Sequence, residues 1–229
     1  MKSFINNVLI WSEVWALLVP VYCMWPVKKQ PVYLKPVYIY IVAALLLNVV
    51  ANVISNQRAL GITLPWHNNI LVYNLHSVIR FGCFSLFFIL AKQKYYSTLT
   101  RIIPFLYIGI LLLNFTLLDK FFDPLHINGN LMTAETYLLL VYCLLYYLSR
   151  LKEDGPLFSN DADFWIVTGL SIYIVINFFV FLFYIPIMNE NRAFADKIWT
   201  VHNAGYILLC LFIAKGFYAA KTSENLSGT

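Results

Sequence analysis

Between Pro65 and Lys92 the chain reads PWHNNILVYNLHSVIRFGCFSLFFILAK, a run long and apolar enough to cross a bilayer that nevertheless carries Asn69, Asn74, His76 and Arg80. A charged or amide side chain in hydrocarbon is costly and is kept where it has a partner or a function. The rest of the chain must supply those partners, and composition says in what form. Of 229 residues, 61% are hydrophobic, 17% aromatic and only 12% charged. That is the profile of a polytopic membrane protein, not of a soluble domain. A spanning helix takes about 20 residues, so seven spans and short connections use nearly the whole sequence. No room is left for a soluble catalytic or DNA-binding domain.

The apolar runs fall at about 5–25, 36–55, 66–91, 102–118, 131–149, 163–185 and 197–219, with residues 222–229 as a mobile tail. The expected fold is an all-α seven-transmembrane-helix bundle in one domain, residues 1–221. The N-terminal run has no small-residue cleavage site and reads as a retained first span, not a signal peptide. Pro26, Pro31 and Pro36 break the first connection, Pro65 and Pro104 stand near helix starts, Pro186 ends span six, and Pro20 kinks span one. Asn160 or Asp161 is the expected N-cap of span six. The cysteines Cys23, Cys83, Cys143 and Cys210 all lie in or beside apolar runs and read as small buried groups, not as a disulfide frame.

The net charge of +5 is spread through short loops, so it reports orientation and not affinity for nucleic acid. Lys28, Lys29, Lys35, Lys92, Lys94, Arg101, Arg150, Lys152, Lys215 and Lys221 fall on one side; Lys2, Arg58, Lys120, Arg192 and Lys197 fall on the other. The richer side belongs in the cytoplasm, which puts the N-terminus outside and the C-terminus in the cytoplasm.

Depth follows from orientation. At about 1.5 Å of rise per residue, Glu13, Asn74, His76, Glu135, His202 and Asn203 lie roughly 5–10 Å below the outer boundary. Asn48, Asn52, Asn114 and Asn177 lie roughly 3–12 Å below it, and Arg80 is deeper, near mid-membrane. Every span thus brings a strongly polar side chain to one level. In span three, Asn69, Tyr73, His76 and Arg80 share a helical face; in span seven, Trp199, His202 and Tyr206 do the same. These two faces are expected to meet in mid-bundle, bordering a polar chamber open to the outside and capped by Trp66 and Trp199. The candidate binding residues are Glu13, Asn48, Asn74, His76, Arg80, Asn114, Glu135, Asn177, His202, Asn203 and Tyr206. His76 and His202 should line one cavity without a metal between them. Arg80, which keeps its proton, should pair with Glu135 or Glu13.

Several chemistries fit poorly. No HExxH or HxxxH spacing supports a metal site, and no cofactor is implied. Two histidines alone are a thin case for a haem. Lys215 lies too near the end of span seven for a retinal Schiff base and reads as a snorkelling residue. No repeat or broken helix suggests a transporter. The polar level stops near Arg80, which argues against an open pore.

NDADFWIVTGLSIYIVINFFVF in span six resembles the FW…G…IY pattern of uncharacterised seven-transmembrane-helix proteins of Bacteroidota. NNILVYNLHSVIRFGCFSLFFI in span three and IWTVHNAGYILLCLFIAKGF in span seven are similar to theirs as well, although the related span-three pattern has an acid where Arg80 stands. The resemblance implies a multi-pass seven-helix bundle of the bacterial inner membrane and carries no activity with it. The functional expectation is a receptor-like protein that binds a small or lipophilic ligand in the outer half of the bundle. It would contact the lipid bilayer and a signalling partner at its cytoplasmic loops, with no nucleic acid. The rival expectations are an intramembrane enzyme acting on a lipid or isoprenoid, with Glu13, Glu135 or His76 as acid or base, and a structural subunit whose polar layer only fixes helix packing.

Overall fold

The computed structural model describes residues 11–24, 31–57, 60–64, 68–91, 94–116, 129–153 and 161–227. Within them the chain forms α1 (Ser12–Met24), a 3-10 turn (Val32–Leu34), α2 (Lys35–Ser55), α3 (Ile70–Leu90), α4 (Ser97–Thr116), α5 (Gly129–Leu151), α6 (Ala162–Glu190) and α7 (Arg192–Ser227). Six helices, α2 to α7, are long and apolar enough to cross a membrane. This is a multi-pass membrane protein by that criterion. The shorter α1 is also apolar; the start of its expected span, like Pro65, Trp66 and Lys120, lies outside the described residues.

The helices close into a ring. α7 packs along α6 and against α1, α1 against α2, α2 against α3, α3 against α5, and α5 against α6. α4 packs on α3 and α5 from outside the ring, and its Phe105, Leu106 and Leu112 are exposed. Water does not hold such apolar faces together in lipid, so helix contact depends on close packing and on polar bridges. The closest packing is between α6 and α7. A Cβ on Gly216 would stand 2.8 Å from the Ala162 carbonyl oxygen and 2.7 Å from Ile166 Cγ1, and one on Gly169 would fall on the Phe212 side chain.

Prolines behave differently from their sequence reading. Pro104 lies inside α4 and not near its start, because Ser97–Arg101 extend the helix beyond the apolar run. Its missing N–H leaves the Thr100 carbonyl without a helical donor, and the buried Tyr142 hydroxyl donates to that oxygen at 2.7 Å. Nor does residue 186 end α6, which continues to Glu190. Asn191 alone separates α6 from α7, accepting from the Phe194 N–H through its side chain at 3.1 Å as an N-cap does. The last helix runs on to Ser227, so residues 222–227 are helical and not an irregular tail. Asp161 occupies the N-cap position of α6 without a capping bond.

At that end of the bundle Arg150 of α5 lies 2.6 Å from Asp163 and 3.4 Å from both Asp161 and Glu153. Asp163 is the tighter and more buried partner. Burial and the neighbouring Asp163 push the Asp161 carboxyl above the ordinary aspartate range, against the pull of Arg150.

Gly216→Ala is expected to lower the thermal unfolding midpoint in detergent, even though alanine is the better helix former by about 1 kcal/mol. The added methyl meets a backbone carbonyl that cannot move alone. Gly82→Ala and Gly109→Ala add a Cβ with nothing within 4 Å and should leave the midpoint unchanged or raise it. A Gly216→Ala protein as stable as the parent would show that the α6–α7 contact is looser than described.

Candidate functional site

Arg80 is almost fully buried in the ring. Its Nε donates to Glu135 Oε1 at 2.5 Å and its Nη2 to Glu135 Oε2 at 2.7 Å. This is the two-pronged geometry in which guanidinium and carboxylate bind most strongly. Ser77, one turn before Arg80 on α3, donates to Glu135 Oε2 at 2.5 Å, and Arg80 Nη1 donates to the Tyr173 hydroxyl at 2.7 Å. Three helices, α3, α5 and α6, are thereby tied at one point. Glu135, not Glu13, is the partner of the arginine.

The second carboxylate holds a separate position above it. Tyr73 of α3 donates to Glu13 Oε2 at 3.1 Å. Asn48 of α2 donates to the Glu13 backbone oxygen at 2.8 Å and, more weakly, to the Tyr206 hydroxyl at 3.4 Å. Facing Glu13 from α7 is His202, whose Nε2 lies 3.6 Å from Glu13 Oε1. That is too long for a direct hydrogen bond. The orientation of His202 is set from behind. Asn177 Nδ2 donates to the Tyr173 carbonyl at 2.7 Å, which turns the amide oxygen towards His202 Nδ1, with which it makes a short hydrogen bond. An amide oxygen only accepts, so Nδ1 carries the proton and, in the neutral ring, the lone pair is on Nε2, towards Glu13.

His76 completes the circle. It stacks on Tyr40 with ring centres 5.8 Å apart and meets Tyr206 edge-on at 6.4 Å. Tyr73 meets Trp199 edge-on at 5.8 Å. The faces of α3 and α7 that share a helical stripe thus meet across the ring, through their side chains.

Between these groups lies a cavity of about 20 Å³, bordered by Glu13, Asn48, Tyr73, His76, Arg80, Met132, Tyr173, Phe181, Trp199, His202 and Tyr206. It has room for about one water molecule. Above it, Met132, Val180 and Phe181 form a small apolar cluster with Tyr73, Ile176, Ile198 and Trp199. Below it, Tyr40 packs on Phe84 at 5.1 Å, and Phe84, Phe87 and Phe88 are fully buried. A polar layer is therefore held between an apolar plug and an aromatic floor. Glu13 Oε1 and His76 Nε2 are buried in it without a hydrogen bond.

Of the sequence-derived candidates, Glu13, Asn48, His76, Arg80, His202 and Tyr206 border the cavity, while Glu135 and Asn177 stand behind Arg80 and His202 and orient them. Asn74 and Asn203 are buried but do not border it: each follows a lining residue by one position, about 100° further round its helix. Asn114 is also buried, on α4, outside the ring. Tyr173, Phe181 and Met132 are lining residues that depth alone did not single out. Helical spacing would have found them, since Tyr173 and Phe181 flank Asn177 by four residues and Met132 precedes Glu135 by three. Among the described residues, no group of three or more His, Cys, Asp or Glu side chains is placed to hold a metal ion.

Breaking the ion pair from one side strands a charge in the bundle. Arg80→Ala or Glu135→Ala is expected to cost about 3–5 kcal/mol, whereas Arg80→Met combined with Glu135→Gln should cost less than either. Thermal unfolding of the single and double variants in detergent measures this. Strictly additive losses would mean that the two side chains act independently. No protein-family model matches the chain, and neither a curated protein nor a solved structure matches it.

Proposed function

We propose that the protein is a receptor-like, seven-span protein of the bacterial inner membrane, N-terminus outside, whose chamber takes the polar head of a small or lipophilic ligand. One observation carries this reading: Glu13 Oε1 and His76 Nε2 face a one-water void without hydrogen bonds. An unsatisfied buried polar atom costs about 1–3 kcal/mol, and packing alone has no use for such atoms around a vacancy. In the same layer, by contrast, Arg80 is bonded to the Tyr173 hydroxyl and Asn177 to the Tyr173 carbonyl. The void is too small for a whole lipophilic molecule, so only a head group would enter. Its apolar body would displace the plug of Met132, Phe181 and Trp199. With no output domain evident in these 229 residues, signalling would pass to a partner at the cytoplasmic end.

A second reading rests on the Asn177–His202–Glu13 alignment, in which an oriented imidazole faces a carboxylate, as in general acid–base sites. It makes the protein an intramembrane enzyme acting on a lipid or isoprenoid. Native mass spectrometry of the protein purified from its own membrane is expected to show one small molecule per chain, lost in Glu13→Ala and in His202→Ala. Chemical change in added lipid would favour the enzyme. Ligand-free spectra for parent and variants alike, with no turnover, would leave a structural subunit. Reporter fusions after Thr229 should be active only as cytoplasmic reporters; periplasmic activity would reverse the orientation.

A further inference from the structure

We infer that the head group this chamber accepts is a primary ammonium, carried on an apolar body; the inference rests on the ligand-binding reading above. Charge comes first. Arg80 and Glu135 neutralise each other through two short hydrogen bonds, which leaves Glu13 as a second buried carboxylate to which, among the described residues, no lysine or arginine is bonded. The titratable side chains around the cavity are Tyr73, His76 and Arg80 of α3, Tyr173 of α6, and His202 and Tyr206 of α7. Arg80 alone among them is permanently positive, and its charge is taken up by Glu135. An ionised carboxylate at this depth requires a positive partner.

Hydrogen-bonding capacity points the same way. Glu13 Oε1 is an unfilled acceptor, and His202 in its neutral form turns the lone pair of Nε2 towards the same gap because Asn177 holds the proton on Nδ1. The donors of Arg80, Tyr73 and Asn48 on the cavity wall are already engaged, so what stands open at the gap is acceptor capacity, and the ligand must bring donors. An ammonium group brings three donors and no acceptor. A carboxylate or phosphate would bring acceptors and a second negative charge against Glu13. The 3.6 Å between Glu13 Oε1 and His202 Nε2 lets one nitrogen bridge them from the side.

Size and walls narrow the class further. About 20 Å³ admits a group the size of water, which fits –NH3⁺ and excludes a trimethylammonium. Tyr73 and Trp199 meet edge-on at 5.8 Å above Glu13, and Phe181 and Tyr206 add aromatic surface. Such rings attract a cation through their faces. The plug above them is apolar, as an alkyl or isoprenoid body requires.

The test uses the full chain in phosphatidylcholine nanodiscs at neutral pH with four twelve-carbon probes: dodecylamine, dodecanol, dodecanoate and dodecyltrimethylammonium. Binding is read from tryptophan fluorescence and from the unfolding midpoint. Dodecylamine should saturate and raise the midpoint, with the other three at least about tenfold weaker. Glu13→Gln should weaken the amine by about thirtyfold, the loss that follows from removing one partner of a buried charge pair, while leaving dodecanol unchanged. If Glu13→Gln does not fold, Trp199→Leu serves instead: it should weaken the amine several-fold and spare dodecanol, with binding read from the midpoint. Dodecanol or dodecanoate binding as tightly as the amine, with sensitivity to His202→Ala, would overturn the ammonium assignment and leave the ligand-binding reading standing. Equal, non-saturating uptake of all four probes by the parent and both variants would overturn the assignment. Joined with ligand-free native mass spectra, it would overturn the binding reading too.

Discussion

The pairing of Arg80 with Glu135 is the interaction on which the rest of the layer depends. A guanidinium buried in the bundle must have an anion, and the bidentate bond to Glu135 fixes both the distance and the rotation of α3 relative to α5. With α3 so turned, Ser77 falls on the same carboxylate, and His76 and Tyr73, on the same stripe one and two turns earlier, face the centre of the ring. The Tyr173 hydroxyl then accepts from the third arm of the guanidinium, which sets α6. Tyr173 in turn offers its backbone oxygen to Asn177, and Asn177 orients His202. The position of one imidazole on α7 is thus traceable through three contacts to a charge on α3. Buried polar networks specify geometry in this way only when nearly every member is satisfied.

From Arg80 to His202 each member of this chain is bonded to the next, and Glu13 Oε1 stands outside it. In a layer where Glu135 accepts three hydrogen bonds, an unbonded oxygen on Glu13 marks where the network was left open. Opening it costs stability. The bundle offsets this elsewhere, chiefly in the close approach of α6 to α7 around Gly169 and Gly216 and in the stacked rings beneath, such as Phe88 on Tyr142 at 4.9 Å and Phe81 on Tyr107 at 3.8 Å. The site is loose because its surroundings are tight.

Which polar groups share a level was legible in the sequence and azimuth was not. Counting residues from the ends of apolar runs put Glu13, His76 and His202 at one level, because rise per residue is constant, and their side chains border one cavity. The same count put Asn74 and Asn203 at that level, yet a single residue turns a side chain by about 100°, enough to move it from the chamber to a helix interface. The choice between Glu13 and Glu135 for Arg80 was open for the same reason, since both stand at a reachable height. Stripes helped where two or more polar residues shared a helix, as in α3 and α7. In α6, Asn177 stood alone among apolar neighbours, and Tyr173 and Phe181 went unmarked. Proline, read as a boundary, misled at residues 104 and 186. A single long-range hydroxyl, that of Tyr142, supplies what Pro104 removes, and no local pattern announces it.

Set against Arg150, Arg80 shows what the chamber's environment adds. Arg150 at the opposite end also meets carboxylates, but it is only partly buried, sits over the Tyr146 ring at 5.4 Å and borders a wider cavity of about 310 Å³ with Asp161, Asp163 and Ala220. Water can screen that cluster, so its pairs contribute less, Asp163 remaining the tightest. Arg80 has no such screening, and its pair acts as a fixed post. α7 passes both places: Trp199, His202 and Tyr206 line the chamber, and about four turns on, Ala220 lines the cavity beside Arg150. Under the proposed receptor reading, a ligand that wedged the plug apart would press α7 against a fixed ion pair near the chamber and against a cluster that can rearrange near Ala220. Such an asymmetry would let a shift pass along the helix, because a shift is transmitted only where some contact is free to change.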